Sequence, residues 1–437
     1  MTVTTAGNTA DANSQGGAQI KFVTRSGTNS WTGSVYEYYR NDKFNANTWF
    51  NNRDLPPDPE TGKAPKAQLR RHTPGFRIGG PIVHDKAFFF VNYEQARQPS
   101  NLTQTRIVLT PAAMSGKFAY VAGGVPRQVD LLQLAASIGQ PSTLDPTVAK
   151  VMSDISSAMK TQGSLTDLSN PAVQQYNFQV PTTSLNHFPT TRFDYNLSQN
   201  HRITGSFNYN HINSTPDTTN TRQASFPGFI ATGSQQSTRW TTSEGVRSMF
   251  FGGNVVNEFR IGATGGATLF SPEFNADSFV PQGGYHLNIN GACCTGSNAL
   301  YNVDSFTGAT ATYQAREAST KIIDDTVTWI KGSHSFAFGT TFTQGDLWID
   351  NQQLVPTINF GLVTGDPAIS LFNTTNFPNA STTDIANARG LYSMLVGKVL
   401  SVVGDARLTP AGDKYVYLGT GEARARLREF DFFAADS

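Results

Sequence analysis

Between Thr190 and Ile212, apolar and polar residues alternate with a period of two. Phe193, Tyr195 and Leu197 interleave with Arg192, Asp194 and Asn196. After Ser198-Gln199-Asn200, the residues Ile203, Phe207 and Tyr209 interleave with Arg202, Thr204, Ser206, Asn208 and Asn210. Neighbouring side chains on a strand point to opposite faces, so the pattern predicts a hairpin with one apolar, aromatic face and one polar face. Three more hairpins are marked by short links. Phe76–Val83 joins Phe88–Arg97 through His84-Asp85-Lys86, and Arg239–Phe251 joins Asn254–Gly265 through Gly252-Gly253. Lys321–Ile330 joins Ser335–Phe342 through Lys331-Gly332-Ser333-His334. Between the hairpins lie long, irregular, polar stretches at roughly residues 42–72, 98–187, 213–237, 266–318 and 345–422.

A compact soluble domain avoids structureless connections of such length. Strands of about ten residues joined by short turns at one end and long loops at the other are the pattern of an outer-membrane barrel. The expected fold is therefore all-β: a partial antiparallel transmembrane β-barrel of about ten strands with long extracellular loops. One loop carries a helix signal. Asp145-Pro146 supplies an N-cap and a proline at the first helical position, and Val148, Val151, Met152, Ile155 and Met159 follow at helical spacing. The expectation is a small amphipathic helix packed within its own loop.

Composition agrees. Only 15% of residues are charged, whereas Phe numbers 30 and Tyr 14; soluble domains carry nearer a quarter charged residues. The net charge of +1 implies no polyanionic partner, so nucleic acid is not expected. No apolar run approaches the eighteen or so residues of a membrane-spanning helix. Met1 to Gly17 is polar and has neither the basic start nor the apolar centre of an export signal. Cys293 and Cys294 are adjacent, and a vicinal disulfide is a strained arrangement, so two free thiols in a loop are expected.

Near the N-terminus stand Gly16-Gly17-Ala18-Gln19-Ile20-Lys21-Phe22-Val23-Thr24-Arg25-Ser26-Gly27-Thr28-Asn29 and then Trp31-Thr32-Gly33-Ser34-Val35-Tyr36-Glu37-Tyr38-Tyr39-Arg40-Asn41. Further on come Gly79-Gly80-Pro81-Ile82-Val83-His84-Asp85-Lys86-Ala87-Phe88-Phe89-Phe90-Val91-Asn92-Tyr93-Glu94 and, near the end, Arg428-Glu429-Phe430-Asp431-Phe432-Phe433. Together these resemble TonB-dependent outer-membrane transporters, in particular the Oar-like receptors of acidobacteria. The likeness runs along essentially the whole chain. It implies that residues 1–29 are the C-terminal end of a plug domain and residues 30–437 the N-terminal portion of the barrel. It also implies contact with outer-membrane lipid, energy from TonB and its inner-membrane complex, and uptake of a small ligand such as a siderophore, vitamin, oligosaccharide or peptide. Plugged barrels of this class have about 22 strands, so the chain is expected to be a fragment unable to transport alone.

The motif residues have structural chemistry. Gly27 and Gly33 permit close backbone approach. Pro81 ends one register of pairing because it has no N–H to donate. Phe88, Phe90 and the tyrosines near strand ends suit interfacial aromatic girdles.

No catalytic, cofactor-binding or metal-binding residue is predicted, and no substrate-binding residue is assigned. The usual phosphate-loop, zinc-protease, nucleophile-elbow and dinucleotide motifs are missing. Asp324 and Asp325 are adjacent and so point to opposite strand faces, which rules them out as an acid/base pair. His201 and His211 share a face but stand roughly 30 Å apart along a strand, too far for one metal. Arg424, Arg426 and Arg428 share one face, expected to be a solvated lumen face. The chain is therefore not expected to be an enzyme. The competing readings are a secreted or surface β-rich adhesin or glycan-binding protein, and a secreted β-fold hydrolase.

Overall fold

The computed structural model describes residues 2–4, 19–21, 23–54, 57–64, 66, 68–217, 220, 223–231, 233–271, 275–294, 299–300 and 312–436. The start of the N-terminal motif (Gly16–Ala18 and Phe22) lies outside them. Among the described residues, thirteen strands make one sheet. In chain order they are β1 (Thr32–Asn41), β2 (Arg70–Val83), β3 (Ala87–Leu109), β4 (Ser164–Asp167), β5 (Val173–His187), β6 (Thr190–Asn196) and β7 (His201–Thr215). Then follow β8 (Ser234–Phe250), β9 (Val255–Gly265), β10 (Ala267–Ser271), β11 (Thr312–Lys331), β12 (His334–Gln353) and β13 (Gly421–Asp436).

Two pairs of strands act as single staves. β5 and β6 both lie between β3 and β7, separated only at Phe188-Pro189, where proline has no N–H for the ladder. β9 and β10 both lie between β8 and β11, separated at Gly266. With β4 a short addition to β5, the sheet is a meander of ten antiparallel staves in chain order. That matches the expected number. Its outermost staves, β1 and β13, each have one neighbour among the described residues.

Short turns gather at one end of the staves and long connections at the other. The link between β11 and β12 is only Gly332-Ser333, with Gly332 at φ +64°, a left-handed angle that glycine adopts without a Cβ clash. The long connections are 42–69, 110–172, 216–233, 272–311 and 354–420. Most are shorter than alternation suggests because the ladders run on into polar sequence. β3 continues past Arg97, pairing from Gln98 with Ser184 to Leu109 with Val173. β11 and β12 are 20 residues each. At about 3.3 Å per residue and a tilt near 45° they rise roughly 47 Å, about twice the 25 Å apolar band of an outer membrane. Their upper halves therefore stand in water, where neither face needs to be apolar.

The two faces differ in character. Phe193, Phe207, Ile261 and Ile323 share one face and are 43%, 42%, 45% and 42% exposed although they lie on interior staves. Leaving their exposed parts in water would forfeit a share of the about 1.5–3 kcal/mol that full burial of each brings. Glu244 and Asp325 interrupt this face, accepting bonds from Thr242 and Asn257. The other face carries Arg192, Asp194, Arg202, Thr204 and Ser206, as alternation predicts. Pairing slips between Pro81 and Val83, as expected of a proline in a ladder. Phe88 and Phe90 depart from expectation. Their partners across the ladder are Asp194 and Arg192, so they lie on the polar face. Phe89, packed edge-on against Trp31 at 5.4 Å, takes the girdle role instead.

The long connections fold together into a cap with a buried core. Helix α1 (Pro146–Met159) starts where predicted, with the Asp145 carboxylate accepting from Val148 N at 3.0 Å. Its buried residues are Val148, Val151, Met152, Ile155 and Ala158. It does not pack within its own loop alone. Asp145 N donates to Leu395 O at 2.8 Å, at the end of helix α2 (Thr382–Leu395). Tyr392 donates to Pro141 O at 2.9 Å and Tyr120 to Pro378 O at 3.2 Å, both across loops. Phe118, Tyr120, Phe377, Leu391 and Tyr392 are among its fully buried side chains. Such a core needs partners some 250 residues apart, which period counting within one loop does not reveal.

Candidate functional site

The polar face has an occupant. The segment Thr24–Asn29 runs along it before β1 begins, and Asp194 of β6 is its anchor. The Asp194 carboxylate is fully buried and accepts Arg192 Nε at 2.8 Å, Arg192 Nη2 at 2.9 Å, Arg202 Nη2 at 2.8 Å and the Ser26 hydroxyl at 2.7 Å. Arg192 also donates to Thr24 O at 3.0 Å. Alternation places Arg192 and Asp194 on the same face two residues apart, and antiparallel pairing brings Arg202 diagonally across. A buried carboxylate needs this many donors to offset its desolvation.

Glycine lets the segment lie close to the wall. A Cβ on Gly27 would strike Phe89 O and stand 2.7 Å from Gly80 O. One on Gly33 would meet Arg77 O at 3.0 Å. Both glycines serve close approach, as expected. At the turn end, Asn29 Nδ2 donates to Asp85 Oδ1 at 2.5 Å, and Asp85 N donates back to Asn29 Oδ1 at 2.8 Å. Asn196 Nδ2 adds a bond to Asp85 O at 3.1 Å. The segment is thus tied to β6 and the β2–β3 turn. Since chain occupies the polar face and, among the described residues, none covers the exposed apolar one, the polar face is the inside of the wall.

The other sequence candidates disperse. Asp324 faces inward and accepts from Thr341 at 2.9 Å, whereas Asp325 faces outward. His201 sits at the turn end against Ser248, 2.9 Å away. His211 lies opposite His187 near the other end, and His187 meets the Tyr93 hydroxyl at 2.7 Å. Among the described residues no group of three or more His, Cys, Asp or Glu is placed to hold a metal. Arg424, Arg426 and Arg428 do share one face, but it is not the lumen face. They keep register with Phe430 and Phe432, on the outside. Cys293 and Cys294 are joined as a vicinal disulfide buried in the cap, not two free thiols.

The Asp194 anchor was missed in the sequence because Ser26 lies 168 residues away from it. The available signal was Arg-x-Asp on a polar strand face with a second arginine just beyond the turn.

The family model described as "Outer membrane beta barrel domain" matches residues 23–437. The crystal structure of the outer membrane transporter YddB from Escherichia coli is similar, with a TM-score of 0.45 and 8% identity over 96% of this chain and 38% of that one. The open form of the ferric-catecholate import receptor Fiu from E. coli K12 has a TM-score of 0.37 and 11% identity, over 95% of this chain and 48% of that one. The chain thus spans less than half the length of either. No curated protein sequence matches it.

Proposed function

Because the chain belongs to the outer membrane β-barrel domain family, we propose that it forms part of the wall of a TonB-coupled importer of the Oar-like type. It resides in the bacterial outer membrane, with its aromatic face in lipid and its polar face around the lumen. In this reading residues 1–29 are the end of a plug and residues 30–437 the barrel portion. Energy comes from TonB and the inner-membrane complex, and the cargo is a small ligand captured at the cap and lumen.

The observation that carries the reading is the fastening of Thr24–Asn29 to the inner wall through Asp194 and Asp85. A simple pore has no use for a segment laid along its lumen with a buried carboxylate holding it. A plugged importer needs such a hinge, because the plug must stay attached to the wall while the rest of it moves. A secreted adhesin fits less well, since the exposed aromatic face would be left in water.

The test compares three strains of the source bacterium: the parent, one lacking this gene, and one lacking TonB. Depletion of solutes from a defined medium is followed by mass spectrometry. The expectation is at least one solute consumed by the parent and spared by both mutants. No such solute, together with surface adherence lost only on deletion of this gene, would replace the importer with an adhesin.

A further inference from the structure

The outer face of the last three staves changes character within one residue step. On β11 the outward residues Trp329, Val327 and Ile323, interrupted only by Asp325 with its bond from Asn257, give way to Lys321 and Ser319. On β12, Phe336, Phe338 and Phe342 give way to Gln344 and Asp346. On β13, Phe432 and Phe430 give way to Arg428 and Arg426. The change falls in the same place on all three. Lys321, Gln344 and Arg428 are direct cross-strand partners, immediately above the partnered row Ile323, Phe342 and Phe430.

Depth fixes what meets this boundary. The lower girdle is marked by Trp329 and Phe336, whose rings are 5.6 Å apart beside the short turn. From Phe336 the chain advances eight residues to Gln344 and ten to Asp346, about 19 Å and about 24 Å of height at about 3.4 Å per residue and 45° tilt. The outer-membrane apolar band is about 25 Å tall, so the two charged rows stand at its upper edge, where the long arginine and lysine side chains reach the headgroups of the outer leaflet. Trp240 agrees: its indole lies across Gly265, and a Cβ there would be 2.8 Å from Trp240 Cζ2 and 3.3 Å from Ser319 Cβ. An indole beside Ser319, in the second charged row, suits a membrane interface.

The charges are unequal. The two rows hold Lys321, Arg426 and Arg428 against one carboxylate, Asp346. Arg426 Nε takes that carboxylate at 2.5 Å, while Arg428 Nε donates to Gln344 Oε1 at 3.1 Å. Lys321 and Arg428 are both exposed. They present two cations to the outside, directly above an apolar row.

We propose that Lys321 and Arg428, with Gln344 and Trp240, form a binding site for the phosphate of an outer-leaflet glycolipid whose acyl chains lie on Ile323, Phe342 and Phe430. Arginine offers a fork of N–H donors to phosphate oxygens and lysine a point charge, and both work best at the edge of a low-dielectric phase. Arg424 belongs to the next row, where Glu422 already holds it at 3.1 Å.

The full chain, purified from outer membranes in mild detergent, is titrated with hexa-acylated lipid A carrying two phosphates, and native mass spectrometry counts bound lipid. The expected result is one retained lipid, with affinity at least tenfold weaker in Lys321→Gln/Arg428→Gln and unchanged in Arg424→Gln. Fully dephosphorylated lipid A should bind the parent at least tenfold more weakly, and inorganic phosphate alone should compete only at millimolar levels. Equal binding of the double variant, or of the dephosphorylated lipid, overturns the site. Should the double variant fail to assemble, a salt titration of the parent decides: binding must weaken as salt rises, and salt-independent binding overturns the proposal.

Discussion

Arg192 and Asp194 stand two residues apart on one strand and still close a two-point ion pair, with Nε–Oδ2 at 2.8 Å and Nη2–Oδ1 at 2.9 Å. The strand repeat makes this possible, since residues two apart share a face. The pair leaves enough of the carboxylate free for Arg202 and Ser26, so one buried group ties two strands to the N-terminal segment.

Removing that carboxylate strands two arginines and frees the segment. Loss of one partner from a buried ion pair costs about 3–5 kcal/mol. Arg202 is half exposed, which puts Asp194→Ala at the low end, about 3 kcal/mol by that rule. Trypsin should then cut after the exposed Arg25 faster in Asp194→Ala than in the parent. Cleavage at an unchanged rate would mean that Asp194 does not hold the segment.

How much of this was legible depended on range. The hairpin from Thr190 to Ile212 could be read directly because its alternation is unbroken. Phe88-Phe89-Phe90 could not, since a run of three aromatics fits either face and only pairing with Arg192 and Asp194 decides. Arg424, Arg426 and Arg428 showed that they share a face but not which one, because alternation carries no inside or outside. The Ser26–Asp194 bond and the Tyr392–Pro141 bond join distant segments and leave no local pattern.

Gly390 in α2 sets two effects against each other. Alanine is the better helix former by about 1 kcal/mol. A Cβ at this position, however, would strike Ala292 O of the neighbouring loop, and a backbone atom cannot swing away as a side chain can. Packing should win. Gly390→Ala is expected to raise amide hydrogen exchange in both 286–294 and 382–395, while the β7–β9 ladder stays protected. Slower exchange in the helix would show that propensity governs.

Acid should loosen the cap through Asp366. Burial pushes its carboxyl up, but the Lys398 ammonium at 2.6 Å and the Ala368 N–H outweigh burial and hold it below the usual carboxylate range. A depressed folded value contributes stability above the unfolded value, near 3.9, and that contribution is lost as pH falls through the folded one. Protease sensitivity of residues 354–400 should therefore rise below about pH 4. In Asp366→Asn the cap should be weaker at neutral pH and show less of this acid response. An acid response identical to the parent's would remove Asp366 from the account.

The alkaline side is set by Tyr392. Burial, with Asp366 nearby, pushes its hydroxyl up to about 12. The folded value exceeds the unfolded one, so its contribution is intact below about pH 10 and lost as pH rises toward the folded value. Tyrosinate absorbance of the parent minus that of Tyr392→Phe should show one ionisation well above the ordinary tyrosine range. A difference titration centred near 10 would contradict the burial of this hydroxyl.

The assignment of inside and outside can be tested with one charge placed on either side. Val91 is on the outer face of β3, between Ile78 and Thr191. Ser243 is on the inner face of β8, between Ser206 and Gly262. Both lie several residues above the short turns, within the span of the apolar band. An arginine facing lipid near the bilayer midplane costs about 2–4 kcal/mol, while lumen positions tolerate polar change. Val91→Arg should lower the urea midpoint of the vesicle-inserted protein strongly, and Ser243→Arg should leave it nearly unchanged. The two substitutions add the same side chain, and the different residues they remove account for at most about 1 kcal/mol of strand propensity, less than the lipid penalty. The larger difference is therefore set by the medium each arginine meets. If Ser243→Arg proved the costlier, the faces would be reversed. The Thr24–Asn29 segment would then lie on the lipid side of the wall, and the lumen anchor at Asp194 would lose its meaning.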